Sequence, residues 1–225
     1  MKSKRLVGAL TLLIGVVVLS SNASASVVAV GVGAFGAGTT LIDFTGLADG
    51  TEVNGLTVSG VQFSYIVGGS PLNGAVVIDD GPGITNNITP PNIASIGDNA
   101  GILRVTLPGP ATMFGYGYAL LTLTPVSDAT SIALFDGTTA VGTLSYAGEP
   151  DPTFTGGFAG IQSTLAFNRI DITFNSVEAA AFAVDDVRFN ATGNAVPEPS
   201  SMLLLSAGLA VLVILTAREP EPPSA

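Results

Sequence analysis

The side chains of this chain that could do chemistry near neutral pH reduce to carboxylates. Histidine, cysteine and tryptophan are absent, and lysine occurs only as Lys2 and Lys4. Serine–histidine catalysis, thiolate nucleophiles, zinc–thiolate sites and Schiff-base lysines are therefore excluded from any domain that follows the first five residues. A two-carboxylate glycosidase is the hydrolytic mechanism left. It needs two acids held a fixed distance apart, and the acidic pairs here do not announce such a dyad: Asp79 and Asp80, and Glu149 and Asp151, read as turn residues. Neighbouring residues on a regular strand face opposite sides. We expect no catalysis.

Asp185 and Asp186 carry more information. In Phe182-Ala183-Val184-Asp185-Asp186-Val187-Arg188-Phe189, the apolar residues keep one parity as far as Val184 and the other from Val187. A one-residue slip of this kind is what a β-bulge produces, and a bulge re-aims side chains. The pair reads either as half of a calcium site, with oxygens added by Asp43 or a nearby carbonyl, or as a bulged, solvated strand end. Tyr116 and Tyr118, two apart in Phe114-Gly115-Tyr116-Gly117-Tyr118, share one strand face. They could stack on sugar rings, or they could be core with glycine opposite. Gly31-Val32-Gly33-Ala34-Phe35-Gly36 has no helical pattern behind it, so it is no phosphate loop.

The elements that must position these residues are strands. Val61, Phe63 and Tyr65 alternate with Gln62 and Ser64; Leu103, Val105 and Leu107 with Arg104 and Thr106; Ile170, Ile172 and Phe174 with Asp171 and Thr173. Asp49-Gly50, Asn54-Gly55, Asn73-Gly74, Asp80-Gly81 and Asp136-Gly137 punctuate them as turns, and residues 131–136 with 139–146 form a predicted hairpin. Residues 81–92, with three prolines, are expected to be a surface loop. One wet face per strand suits an all-β, antiparallel sandwich.

Both ends differ from this middle. Lys2, Lys4 and Arg5 precede an uncharged apolar run over residues 6–19, and Ala23-Ser24-Ala25 has the small-x-small form that signal peptidase accepts. Residues 1–25 are thus expected to be a signal peptide, cut before Ser26. Residues 26–194 form the expected sandwich domain, and residues 195–225 a tail. In that tail Val196-Pro197-Glu198-Pro199 leads into residues 202–217, sixteen without a charge. The prolines keep the approach extended, and Ser200 or Ser201 can cap the helix that follows. Sixteen residues span about 24 Å, so this transmembrane helix suits a thin bilayer.

The tail resembles the PEP-CTERM sorting signal, whose parts are a Pro-Glu-Pro motif, a membrane helix and a basic cluster. Here the cluster is reduced to Arg218 and followed by Glu219-Pro220-Glu221. The resemblance implies processing by an exosortase near Val196, Pro197, Glu198 and Pro199, anchoring in the inner membrane meanwhile, and a final location in the cell envelope or outside the cell. The segments 41–51 and 182–189 resemble the first and last strands of jelly-roll, lectin-like domains of exported bacterial proteins, implying a jelly-roll-like sandwich. Between residues 26 and 198 three arginines face fifteen acids, a net charge of −12 that repels nucleic acid. The expected role is an exported envelope or extracellular-matrix protein. The rival readings are a carbohydrate-binding module with a structural calcium, whose partner would be an exopolysaccharide, and the glycosidase.

Overall fold

In the computed structural model, residues 25–79, 88–96, 100–151 and 153–191 are described. The expected signal peptide (residues 1–25, save Ala25), the sorting motif and the expected membrane helix lie outside them. No helix among the described residues is long and apolar enough to cross a membrane.

Twelve antiparallel strands follow in order: β1 (Val27–Ala29), β2 (Thr40–Ile42), β3 (Thr57–Val58), β4 (Val61–Val67), β5 (Ser70–Pro71), β6 (Ala75–Ile78), β7 (Asn92–Ser95), β8 (Ile102–Leu120), β9 (Val126–Asp136), β10 (Thr139–Pro150), β11 (Thr155–Phe174) and β12 (Phe182–Ala191). The expected antiparallel sandwich is what they build. Two long strands, β8 and β11, run through both layers. Their inner portions, 103–106 and 169–172, pair in a first sheet with β9 and β10 on one side and β4 on the other. Their other portions, 113–120 and 155–162, pair in a second sheet with β1 outside β11 and with β12, β7 and β6 beyond β8. β2 lies along the end of β12.

The passage between layers has a local cause. Pro108-Gly109-Pro110 puts two residues without N–H donors into β8, and there the ladder to β11 breaks register twice, between Gln162 and Phe167 and between Phe167 and Arg169. Prolines are tolerated in a sheet only where pairing is interrupted, and strands that switch sheets do so through such irregularities.

The alternation read from the sequence sets the core. Val61, Phe63, Tyr65, Leu103, Val105, Ile170 and Ile172 are all fully buried between the sheets. Phe174 stacks on Phe182 with centroids 4.0 Å apart, and Phe44 meets Phe63 edge-on at 5.5 Å. Each such ring removed from water contributes about 1.5–3 kcal/mol. The outward face of the first sheet carries the charged residues. Arg104 makes a two-pronged pair with Asp171 at 2.7 and 2.8 Å, which holds its guanidinium pKa up, and Arg169 lies 3.9 Å over the Phe135 ring. The predicted hairpin is present, with Asp136 opposite Thr139 and Gly137 at φ 57°.

One expectation needs correction. The end of the predicted surface loop is not at the surface: Ile88 is fully buried on the outer side of the second sheet against Ala119 and Ala183, and Asn92 opens β7.

Candidate functional site

The bulge expected at Asp185 and Asp186 is there. Asp185 stands opposite Gly117 and Arg188 opposite Gly115, so β12 fits three steps against two of β8. Asp186 absorbs the extra residue at φ 53°, in the left-handed region. The slip lets Phe182, Val184, Val187 and Phe189 all point into the core.

The two carboxylates engage different partners. Asp186 Oδ2 accepts from Arg188 Nη2 at 3.1 Å, and its carbonyl accepts from Nη1 at 3.1 Å. Asp185 is wholly buried on the outer side of the second sheet, where its Oδ2 accepts the Thr89 N–H at 3.0 Å and the Thr89 hydroxyl at 3.3 Å. Its Oδ1 finds no hydrogen-bond partner among the described residues. Burial is the main force raising its pKa to about 7; the neighbouring Asp186 charge adds to the rise, and the Thr89 donors oppose it. Asp43, offered as a third calcium ligand, accepts the Thr45 N–H at 3.2 Å. Among the described residues no three acidic side chains gather as a metal cage would require. The structure joins Asp185 to Thr89 and Asp186 to Arg188.

Tyr116 and Tyr118 correct the sugar-stacking expectation. Both are fully buried and point between the sheets. The Tyr116 hydroxyl bonds the Thr130 hydroxyl, which donates to the Thr173 carbonyl at 3.0 Å; the Tyr118 hydroxyl donates to the Ala147 carbonyl at 2.7 Å. Burial holds both phenols protonated. Beside them on the outer face, Gly115 has no room for a side chain. A Cβ on Gly115 would lie 2.7 Å from the Phe158 ring and 3.0 Å from the Phe35 ring, and those two rings meet edge-on across it.

A concavity among the described residues lies elsewhere. A cavity of about 360 Å³ opens where β12 begins, lined by Ile78, Ala94, Ser95, Leu121, Phe154 and Ala183 among others. Its one hydroxyl, on Ser95, already accepts the Phe182 N–H at 3.1 Å. Ile96, Leu121 and Leu123, near it, are more than half exposed. Sequence patterning gave no sign of this cavity, because its lining comes from five separated segments. The first described strand begins and the last one ends at the other end of the second sheet, where Ala191 stands opposite Ala111 and Val27 opposite Ser163.

Residues 195–218 match the family model described as the PEP-CTERM protein-sorting motif. The chain carries that sorting signal and is thereby an exported protein, processed at the membrane by an exosortase and placed in the cell envelope or outside the cell. Its fold is similar to solved carbohydrate-related domains. A family 29 carbohydrate-binding module is 10% identical, with 72% of this chain and 95% of that one covered, at a TM-score of 0.36. A variant of such a module complexed with mannohexaose is 11% identical, with 67% and 89% covered, at 0.36. The catalytic domain of a GH87 α-1,3-glucanase in complex with nigerose is 9% identical, with 74% and 31% covered, at 0.37. At these scores the likeness carries neither ligand nor activity to this chain. No curated protein matches it in sequence.

Proposed function

We propose that this chain is a non-catalytic protein of the cell envelope or extracellular matrix, held at the membrane by residues 202–217 and released or re-attached by exosortase action near Val196, Pro197, Glu198 and Pro199. The observation that carries the reading is the sorting motif over residues 195–218, directly behind the last strand. Five residues separate Ala191 from Pro197, six steps along the chain and a reach of about 20 Å when extended. The folded domain would thus stand close to the bilayer while it is processed. Its cavity end would point away from the membrane.

The absence of histidine and cysteine from the sequence, and Asp185 sealed beneath Thr89 with no acidic cluster around it among the described residues, support a domain that does no chemistry. The carbohydrate-binding rival has less beneath it, since the tyrosines it needed are inside. Expressing the full chain with residues 196–199 scrambled tests the sorting reading. We expect full-length protein to accumulate in the inner membrane; unchanged processing and unchanged location would overturn it.

A further inference from the structure

We infer that removal of the signal peptide and docking of the N-terminal arm are mutually exclusive, so that the chain is cut after Ala25 before residues 26–36 complete the sandwich. The inference rests on the export reading above and adds an order of events to it.

The arm is a built part of the fold. β1 adds to the edge of β11, with Val27 opposite Ser163 and Ala29 opposite Ile161. Ser26 N–H donates to the Thr164 hydroxyl at 3.0 Å, the Thr164 N–H donates to the Ser26 carbonyl at 3.0 Å, and the Val30 N–H donates to the Gly160 carbonyl at 2.8 Å. Ala25 and Val27 pack against the core cluster. Three glycines form the floor. A Cβ on Gly142 would collide with the Val27 side chain, one on Gly160 with the Val30 carbonyl oxygen, and one on Gly115 with the Phe35 ring. Glycines at 115, 142 and 160 come from three strands, and each is flush where the arm crosses it.

A protease that reads an extended segment needs the backbone on both sides of the scissile bond as a strand in its own cleft. Here the N–H of the Ala25–Ser26 peptide is the group bonded to Thr164, and the Ala25 methyl lies on the core. The bond cannot serve β11 and a protease cleft together. Cleavage therefore draws only on the fraction of molecules whose arm is open, which is the rule for proteolysis of any docked segment. Once the cut is made, the new α-ammonium at Ser26 keeps the Thr164 hydroxyl as its acceptor, and the arm can seat. A precursor that folds first is held with its leader attached.

The test uses the full chain in detergent with purified signal peptidase, followed by intact mass. The folded precursor should be cut after Ala25 at least about tenfold more slowly than two arm-open variants, Gly160→Val, which crowds the Val30 carbonyl, and Val30→Pro, which removes the bonding N–H. Val30→Pro lies in the arm itself, so a sheet spectrum matching the wild type keeps the comparison valid if Gly160→Val misfolds. Equal rates for the folded precursor and Val30→Pro would overturn the inference while leaving the export reading intact. Failure of every form, including chain freshly diluted from denaturant, to be cut after Ala25 would overturn the signal-peptide reading on which it stands.

Discussion

Replacing Asp185 by Asn should flatten the pH dependence of stability, and the size of the effect follows from the burial. The carboxyl is wholly buried, its Oδ2 held by Thr89 and its Oδ1 without a partner among the described residues. Its pKa rises from 3.8 to about 7, chiefly through burial. Because the folded pKa lies above the unfolded one, the native state binds the proton more tightly between about pH 4 and pH 7. Stability is therefore greatest with Asp185 protonated, and it falls as pH rises through that window. The displacement corresponds to an upper bound of about 4 kcal/mol. For a domain of this size that is a fall in Tm on the order of 10 °C. The net charge of −11 over residues 26–191 pushes in the same direction by self-repulsion, so the comparison between wild type and variant is what isolates Asp185. Calorimetric scans of residues 26–191 from pH 4.5 to 7.5 would show the wild type losing stability while Asp185→Asn stays nearly level and becomes the more stable form at pH 7.5. Parallel curves for the two proteins would refute the reasoning, since they would mean that Asp185 ionises as freely folded as unfolded.

Other consequences are smaller or simpler. Gly115→Val should destabilise by about 1–3 kcal/mol in urea unfolding, because the added carbons press on Phe158 and Phe35 over a sheet that cannot yield. One millimolar calcium should leave Tm unchanged, given that Asp186 is committed to Arg188 and Asp185 to Thr89; a rise of several degrees would restore the calcium half-site. A glycan panel should retain none of the domain, and retention of a polysaccharide would favour the carbohydrate-binding alternative.

Much of the architecture was legible because period-two patterning is a direct image of a two-faced strand. Val61, Phe63 and Tyr65, and Ile170 and Ile172, are core as expected. The slip at Asp185 and Asp186 was legible for the same reason: a buried strand cannot change parity without a bulge. Alternation identifies two faces and does not say which is inside, and this is why Tyr116 and Tyr118 were open to two interpretations. Phe35 and Phe158, distant in sequence, bring the rings that leave Gly115 no room for a side chain. β1 escaped notice because three residues carry no periodicity and are held by partners more than a hundred residues away. Ile88 was hidden by its prolines and asparagines, which mark a loop without saying what the loop covers.

The central claim is that the two ends are sorting signals flanking one folded domain. Intact-mass measurement of the protein recovered from the cell envelope or the medium tests it most directly. The account predicts a chain that begins at Ser26 and ends within or beside Val196, Pro197, Glu198 and Pro199; recovery of the chain with residues 202–225 still attached and no trace of the shorter form would contradict it.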